Sequence, residues 1–323
     1  MFRILVTGAN GFVGRVLCPM LAEAGYAPRV ALRVDKPIPA GAVERVIVDD
    51  IDSDTCWAAA VTGVDAVIHL AARVHVLGSE SDDEHLYLET NAYGTRRLAE
   101  QAAQHGVRRL VYLSSVKVNG EATTGRAYSA ADVPQPLDAY GYSKWHGERL
   151  LAQTAAGTGM QAVVVRSPLV YGPGVRANFL RLLRWVDRGW PLPFGAVSNR
   201  RSLVSVWNLC DLLIRVLSHP AASGRVWMVS DDQDLSTAEL IRNIGAAMGR
   251  PVKLPSVPLL LLRAFAALLG RRAEFERLCG SLCVDIGPTR DELGWAPPVS
   301  VAEGLARTVR WYTNEYRGMR GNP

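Results

Sequence analysis

Apolar runs and amphipathic segments alternate along the first half of the chain. Short continuous apolar runs are typical of buried parallel strands, whereas apolar positions recurring every three or four residues are typical of helices. The runs predict strands at residues 2–6, 29–33, 45–48, 66–70, 109–114 and 161–166, and the amphipathic segments predict helices at 13–24, 83–105 and 140–155. This alternation predicts an α/β fold in which helices cover both faces of a parallel sheet.

Three glycines lie at the turn from the first predicted strand into the first predicted helix. Gly8, Gly11 and Gly14 would allow a tight turn, close approach of a pyrophosphate to the backbone, and close packing of helix on strand. The helix would direct its free N–H groups and positive dipole end at the phosphates. A glycine-rich turn without a ligand is the alternative, but the flanking strand and helix favour a Rossmann-type, doubly wound parallel sheet.

The pattern changes after about residue 170. Glycines and prolines become frequent, and short strands and helices are predicted at residues 203–206, 207–217, 226–229 and 236–248. We therefore predict a dinucleotide-binding domain over residues 1–170 and a smaller, mainly substrate-binding α/β portion over residues 171–323. The segment near residues 203–230 is expected to return in part to the first domain.

Tyr140 and Lys144 lie four residues apart in a predicted helix, so their side chains leave the same face one turn apart. A free phenol has a pKa of about 10 and is a poor base at neutral pH. A nearby ammonium favours the phenolate, which makes Tyr140 a plausible acid/base. The spacing alone is commonplace, but Ser115 ends the preceding strand, and the carboxyl ends of parallel strands face one cleft.

Composition and charge narrow the classes of partner and site. The net charge of +5 is modest and the basic residues are scattered, which argues against nucleic acid and allows an anionic small molecule. The five cysteines are widely spaced and odd in number, so we expect reduced thiols in a cytoplasmic protein and no metal site. The chain begins directly with the first strand, so no signal peptide is expected.

Residues 257–270 form a very apolar stretch that contains Arg263. The stretch is too short to span a bilayer, so no membrane span is predicted. We expect a helix packed on the domain, and a membrane-surface anchor is the alternative.

With these motifs placed, the chain resembles the extended short-chain dehydrogenases/reductases, in the nucleotide-sugar epimerase/dehydratase group. The resemblance covers nearly the whole length. Besides the glycine turn, Ser115, Tyr140 and Lys144, it rests on Asp50-Ile51, residues 69–72, Asn91, Ser114, Gly120, residues 171–174 and residues 290–295.

The resemblance implies roles for individual residues. It implies that NAD, with NADP possible, contacts Gly8, Asn10, Gly11, Phe12, Val13, Gly14, Arg33, Asp50, Ile51, Leu70, Ala71, Ala72, Asn91, Ser114, Tyr140 and Lys144. Tyr140 would be the acid/base, Lys144 would lower its pKa and bind the nicotinamide ribose, and Ser115 would hold the reacting sugar oxygen. The diphosphate of a UDP-sugar would be gripped by Asn178, Arg201 and Arg277.

Three departures from the commonest family pattern bear on the reaction. Asn119 replaces a tyrosine. Dehydratases of this group carry an Asp-Glu pair where this chain has Val116 and Lys117, which argues against 4,6-dehydration. The second strand ends in Arg33, not in an acidic residue that would hold a ribose diol, so the choice between NAD and NADP stays open.

The leading hypothesis is reversible 4-epimerisation of a UDP-hexose or UDP-N-acetylhexosamine through a transient 4-keto sugar. The runner-up is an NAD(P)H-dependent reductase of a UDP-4-keto-6-deoxy-hexosamine, because residues 115–120 and 199–204 look like a subgroup tied to surface-polysaccharide sugars. A non-catalytic dinucleotide-binding regulator is a third possibility. Whether Lys117 and His75 take part in the site is left open. For His75, a place in the active site and a place in a solvated loop are equally compatible with the sequence.

A homodimer is also expected, because family members pair the helices predicted at residues 83–105 and 140–155 with those of a second subunit. Both helices have apolar side chains that the sheet alone would not cover. These are Leu86, Ala92, Leu98, Ala99, Ala103, Trp145, Leu150, Leu151 and Ala152.

Overall fold

A seven-stranded parallel sheet forms the centre of the molecule. The computed structural model describes residues 1–74 and 83–317. The strands are β1 (Arg3–Thr7), β2 (Ala27–Leu32), β3 (Glu44–Ile47), β4 (Ala66–His69), β5 (Arg109–Ser115), β6 (Gln161–Ser167), β7 (Leu169–Tyr171), β8 (Leu203–Ser205) and β9 (Arg225–Met228). The sheet order is β3-β2-β1-β4-β5-β6-β9, and β7 pairs with β8. The order reverses between β1 and β4, where doubly wound sheets bind their ligands.

Helices cover both faces of this sheet. Within the described residues they are α1 (Gly14–Glu23), α2 (Ala58–Val61), α3 (Glu84–Leu88), α4 (Gly94–Gln104), α5 (Ala139–Thr158), α6 (Ala177–Asp187), α7 (Val206–Ser218), α8 (Thr237–Ala247), α9 (Leu259–Leu268), α10 (Arg272–Cys279), α11 (Gly287–Leu293) and α12 (Val301–Trp311). A π-helical turn, Glu89–Tyr93, joins α3 to α4. The helix predicted over residues 83–105 is therefore not α-helical throughout.

The apolar strands are explained by burial on both faces. Ile4 and Val6 of β1 belong to one hydrophobic cluster with residues of α1 and α7. Leu5 belongs to a second cluster with residues of α4 and α5. Neighbouring side chains of a strand point to opposite faces, so a continuous apolar run is what a doubly covered strand requires. The predicted α/β, Rossmann-type fold class is confirmed.

The second half of the chain has a hydrophobic cluster of its own, under α6, α8 and α12. Phe179, Ile241 and Leu305, one from each helix, are almost fully buried in it. The second half also returns to the sheet, because β9 pairs in parallel with β6. A domain boundary at residue 170 stays a prediction.

Helix α9 corrects the expectation of a helix packed on the domain. The helix forms, but none of its residues is buried, and Leu260 and Leu268 are 79% and 83% exposed. Within α9 only Leu262 and Ala266 are partly covered. In the part of the chain that the structure describes, no helix is long and apolar enough to cross a membrane.

The apolar positions used to predict a dimer are mostly buried within the chain itself. Leu98 and Ala99 of α4 and Leu151 of α5 are fully buried, in the same cluster as Leu5. Ala92 and Leu150 are buried as well. The premise of surplus apolar surface is therefore wrong for these five positions, which are covered within the chain. The other four keep some exposure: Leu86, Ala103 and Trp145 are partly exposed and Ala152 is exposed.

Candidate active site at the carboxyl ends of the strands

The glycine turn after β1 lies against the loop after β4. Gly8 has a φ of +67°, and a Cβ atom there would lie 2.8 Å from the backbone nitrogen of Ala71. A Cβ atom on Gly14 would lie 2.5 Å from the Cα atom of Ala9. Gly11 donates its N–H to the carbonyl of Gly8 at 2.9 Å. Side chains at positions 8 and 14 would therefore block the turn.

The start of α1 is suited to an anion. Val13, at its N-cap, makes no side-chain cap, and the first turn contains no acidic residue. By contrast, α7, α8 and α12 begin with Ser205, Ser236 and Ser300, whose hydroxyls accept backbone N–H groups. Since the N-terminus of a helix carries free donors and the positive dipole end, a phosphate would complete the start of α1. These residues fit a dinucleotide pyrophosphate.

The other residues of the turn have distinct surroundings. The carbonyl of Asn10 accepts a hydrogen bond from Nε of Arg15 at 3.0 Å. Phe12 lies against the turn after β7, where a Cβ atom on Gly172 would be 3.6 Å from its ring. Phe12 therefore joins the glycine turn to the second half of the chain.

A buried hydrogen-bonded chain, which the sequence analysis missed, lies at the ends of β1 and β4. Oγ1 of Thr7 lies 2.7 Å from Nδ1 of His69, and Nε2 of His69 lies 3.1 Å from Oγ1 of Thr95. The N–H of Ala71 donates to Oγ1 of Thr7 at 3.1 Å. Burial, with a smaller effect of Lys144, lowers the pKa of His69 to about 3, so its ring is neutral. The sequence does contain a signal for this hydrogen-bonded chain: Thr7 and His69 are polar residues at the ends of otherwise apolar strands.

Asn91, in the π-helical turn, joins the loop after β4 to α5. Its Oδ1 accepts the N–H of Arg73 at 2.8 Å, and its Nδ2 donates to the carbonyl of Arg73 at 3.0 Å and to Oγ of Ser143 at 2.9 Å. Three predicted cofactor residues precede Arg73 in this loop: Leu70, Ala71 and Ala72. His75 lies outside the described residues.

Arg33 and Asp50 form an ion pair where β2 and β3 end. Their Nη1 and Oδ1 atoms are 2.9 Å apart, and the side chains are 69% and 79% exposed. Ile51 packs on α4, where a Cβ atom on Gly94 would lie 2.6 Å from its Cγ2 atom. The structure therefore brings the predicted adenine-binding residues and Arg33 together.

Ser115 and Tyr140 meet between the end of β5 and the start of α5, through a side-chain hydrogen bond. Burial raises the pKa of Tyr140 to about 12; the hydrogen bond to Ser115 opposes the rise, and the charge of Asp138 adds to it. Lys144 was predicted to lower this pKa. Burial has the largest effect on the pKa in the protein alone, and a lowering by Lys144 stays a prediction.

Lys144 is buried one turn further along α5. Its Nζ atom lies 3.9 Å from the centre of the Tyr112 ring, a cation–π contact. Burial lowers the pKa of Lys144 to about 7, and the carboxylate of Glu148 opposes this shift. The hydroxyl of Tyr112 donates to the carbonyl of Asn91 at 2.9 Å. The lysine therefore lies on a ring that the Asn91 segment holds in place.

A buried network around Glu148 was also missed by the sequence analysis. Nη2 of Arg166 lies 2.6 Å from Oε2 of Glu148, and the side chains are only 3% and 8% exposed. The hydroxyl of Ser114 donates to Glu148, and Nη1 of Arg166 donates to Oδ1 of Asn119 at 3.0 Å. The network ties β5 and β6 to α5. The hydroxyl of Ser114, a predicted cofactor contact, is directed at Glu148.

Lys117 connects the turn after Ser115 to the start of α5. Its Nζ atom pairs with the carboxylates of Asp138 and Glu121, the latter at 2.9 Å. Asp138 also caps α5, accepting the N–H of Gly141 at 2.7 Å. A Cβ atom on Gly141 would lie 2.7 Å from the carbonyl oxygen of Lys117. Lys117 therefore holds together the two segments that carry Ser115 and Tyr140.

The predicted diphosphate-binding residues are only partly brought together. Nη1 of Arg201 donates to the carbonyls of Arg277 and Gly280 at 2.7 and 3.0 Å, and burial lowers the pKa of Arg201. The side chain of Arg277 is exposed. Asn178 is exposed in the first turn of α6, and no hydrogen bond within the described residues joins it to either arginine.

The cysteines are free thiols. Burial raises the pKa of both Cys279 and Cys283 to about 11, so these two are protonated at neutral pH. Across residues 1–74 and 83–317, no group of three or more His, Cys, Asp or Glu side chains could hold a metal ion.

Comparison with known proteins places this geometry in context. Residues 4–230 match the model of the NAD dependent epimerase/dehydratase family. The UDP-glucose 4-epimerase of Vibrio cholerae is 40% identical over 311 residues, which cover 95% of this chain and 94% of that protein.

Two solved structures share the fold and about a quarter of the sequence. MoeE5 in complex with UDP-glucuronic acid and NAD superposes with a TM-score of 0.77 at 26% identity, over 96% of this chain and 99% of that one. DesIV, a dTDP-glucose 4,6-dehydratase from Streptomyces venezuelae with NAD and TYD bound, has a TM-score of 0.77 at 26% identity, over 98% of each chain.

Proposed function

The chain belongs to the NAD dependent epimerase/dehydratase family, and from this premise we propose that it is an NAD-dependent nucleotide-sugar 4-epimerase of the UDP-glucose or UDP-N-acetylglucosamine type. The observation that carries the proposal is the Ser115, Tyr140 and Lys144 set, in a chain 40% identical to a UDP-glucose 4-epimerase. The reaction would pass through a transient 4-keto sugar.

The carboxyl edge of the sheet would hold the cofactor. NAD, when bound, would supply a reversible acceptor for the hydride of sugar carbon 4 and the positive charge of its nicotinamide ring. The residues that would hold it are Gly8, Asn10, Gly11, Phe12, Val13, Gly14, Asp50, Ile51, Leu70, Ala71, Ala72, Asn91 and the backbone of Ser114. The ion pair between Arg33 and Asp50 supports NAD over NADP, because it sets a carboxylate beside Arg33, the cation expected to meet a 2′-phosphate.

Tyr140 would move the proton of the sugar 4-hydroxyl. Ser115, which already hydrogen-bonds the phenol, would hold the same sugar oxygen. Because burial raises the pKa of Tyr140 to about 12, the phenolate would form only beside positive charge. Lys144 would contribute to that charge and hydrogen-bond the nicotinamide ribose.

The residues after Ser115 support epimerisation over dehydration. Loss of water needs an acid and a base beside the sugar ring, and the dehydratases that this chain resembles use an Asp-Glu pair for that task. Val116 is buried and apolar, and the ammonium of Lys117 is paired with Asp138. Neither residue can take that role.

Substrate binding would involve the second half of the chain. We assign the diphosphate to Arg201, Asn178 and Arg277, since guanidinium groups bind phosphate oxygens in pairs. Arg201 supports this assignment best, because it is partly buried and held in position by the carbonyls of Arg277 and Gly280.

The decisive test is turnover of UDP-glucose and UDP-N-acetylglucosamine by the purified protein, followed by identification of the released cofactor. We expect 4-epimers to interconvert without added reductant and NAD to copurify. Stoichiometric consumption of NADPH with a UDP-4-keto-6-deoxy sugar, without epimer interconversion, would instead establish the reductase. Absence of both activities would favour a non-catalytic regulator.

We further propose a cytoplasmic homodimer that pairs α4 and α5 with those of a second subunit. The supporting feature is an aromatic patch on α5 and at the end of the π-helical turn that leads into α4. Tyr93 lies 6.3 Å from His146, and Tyr142 lies 5.7 Å from Trp145 between ring centres, with all four partly exposed. Aromatic residues are enriched in protein interfaces. Light scattering at micromolar concentration tests the assembly, since a monomer mass would contradict the dimer.

We also propose that the product is used in surface-polysaccharide synthesis.

A further inference from the structure

Helix α9 directs apolar side chains outward over most of its circumference. At 3.6 residues per turn, Leu260, Leu261, Ala264, Phe265 and Leu268 share one side, with no charged residue between them. The side chains of Leu260, Phe265 and Leu268 are 79%, 61% and 83% exposed. We call these five residues the α9 face. A surface helix of a globular protein normally has the reverse arrangement, with its apolar side against the core.

Arginines border the α9 face. Arg263, the charged residue of the helix, and Arg272, at the start of α10, have side chains 51% and 62% exposed, and both pair with the carboxylate of Glu276, at 3.3 and 3.1 Å. This cluster of two arginines and one glutamate keeps a net positive charge, to which the exposed Arg271 adds. A groove between α9 and α10 is lined by Leu260, Arg263, Ala264, Ala267 and Arg272. Residues 259–279 contain four arginines and two glutamates, so the border is positively charged overall.

The segment that contains α9 and α10 is hydrogen-bonded to the rest of the chain on both sides. On the entering side, the N–H of Gly195 donates to the carbonyl of Pro255 at 3.2 Å. On the leaving side, Nδ2 of Asn199 donates to the carbonyl of Gly280 at 2.9 Å. Because both ends are held, the outward direction of the α9 face is part of the fold.

We propose that the α9 face docks on the surface of a bilayer that contains anionic lipids. The leucines and Phe265 would enter the boundary between headgroups and acyl chains, and Arg263, Arg271 and Arg272 would contact headgroup phosphates. Such a helix lies in the interface plane and does not need the length of a membrane span. The net charge of +5 would add attraction toward an anionic surface.

The charge around the α9 face selects lipid over a second copy of the chain. A two-fold contact is isologous, so pairing two α9 faces would bring the same arginine border of both copies together. Those like charges would repel, whereas anionic headgroups would neutralise them. The proposed dimer also uses α4 and α5, which leaves the α9 face free. Docking does not depend on the proposed reaction.

Cosedimentation of the full chain with vesicles tests the proposal. Vesicles of phosphatidylcholine with phosphatidylglycerol should bind the protein, and vesicles of phosphatidylcholine alone should bind it more weakly. The double substitution Leu261→Gln and Phe265→Gln should weaken binding at least about tenfold, because it removes apolar area from the boundary. The double substitution Arg271→Gln and Arg272→Gln should weaken it about fivefold per arginine, and added salt should reduce this difference.

Val43→Gln with Val133→Gln is the matched control, since these two valines are 61% and 78% exposed elsewhere on the surface. The control should bind vesicles like the unchanged protein. Equal vesicle binding by the α9 variant and the unchanged protein would overturn the proposal, as would failure to bind anionic vesicles at low salt. A fall in mass of the α9 variant, measured by light scattering without vesicles, would make a second copy the occupant. Epimerisation measured in the same samples separates failure of docking from failure of the proposed function.

Discussion

Helices α5 and α9 depart from the ordinary distribution of side chains in opposite directions. In α5, Lys144 and Glu148 are 1% and 7% exposed, whereas in α9 Leu260 is 79% exposed. Burying a charged group costs free energy, and exposing a leucine forgoes the stabilisation that its burial would give. Neither arrangement favours folding, so each indicates a function: chemistry inside the molecule for α5 and a partner outside it for α9.

The two helices differ in whether the fold itself explains them. The buried charges of α5 have partners in the chain: Glu148 pairs with Arg166, and Lys144 lies over the ring of Tyr112. The α9 face has no comparable cover among the described residues, since no residue of that helix is buried. The structure therefore accounts for α5 internally, whereas α9 needs something from outside.

The largest expected effect follows from Tyr140→Phe. Removing the phenol hydroxyl should lower kcat by about a thousandfold, the scale of general acid–base catalysis, and leave NAD binding and thermal unfolding nearly unchanged. Tyr26→Phe is the matched control, because Tyr26 lies just before β2, at the opposite edge of the sheet, with its ring against Phe2. Initial rates of epimerisation and fluorescence titration with NADH measure both effects. A kcat within tenfold of the unchanged protein would exclude Tyr140 as the acid/base.

The next effect is on stability. Glu148→Ala leaves the guanidinium of Arg166 buried without its carboxylate, and breaking such a pair costs about 3–5 kcal/mol. Glu100→Ala removes an exposed pair with Arg96 and should cost less than about 0.5 kcal/mol. Urea unfolding gives both values. If both variants lost the same free energy of unfolding, the buried ion pair of α5 would contribute no more to stability than an exposed one.

Much of the sheet could be predicted because local pattern decides it. The predicted strands and the helix at residues 140–155 differ from the observed elements only at their ends, and the glycine turn lies where the motif placed it. The elements β7, α2, α6, α10, α11 and α12 were not predicted. They are short or lie in the second half, where no regular alternation guides the assignment.

Contacts between distant residues could not be predicted from pattern. Glu148 and Arg166 are 18 residues apart and meet because α5 packs on β6, which no spacing rule states. The apolar stretch of α9 has the same composition whether it is covered or exposed, so its exposure was predicted wrongly. The prediction for Leu98 and Leu151 was wrong in the opposite direction, because both were expected to be exposed for a dimer contact and are buried within the chain.

A smaller effect, on pH dependence, tests the link between Lys117 and Tyr140. The negative charge of Asp138 raises the pKa of Tyr140, and Lys117 neutralises that charge. In Lys117→Met the pKa of the phenol should therefore rise by about one unit, which lowers turnover at pH 7 by about tenfold and lets it recover as the pH rises. Lys117→Arg, which keeps the charge, should retain the profile. A fall in kcat equal at every pH would show a purely structural role.

The smallest expected effect is the sharpest test of the contrast between the two helices. Leu260→Gln and Leu268→Gln should each change the free energy of unfolding by less than about 0.5 kcal/mol, because both side chains are exposed in the folded chain. Leu151→Ala in α5, at a fully buried position, should cost about 2–5 kcal/mol. Urea unfolding without lipid compares the three variants. A loss in the α9 variants as large as that of Leu151→Ala would mean that the α9 face is covered within the folded chain, and its exposure would then no longer indicate a partner.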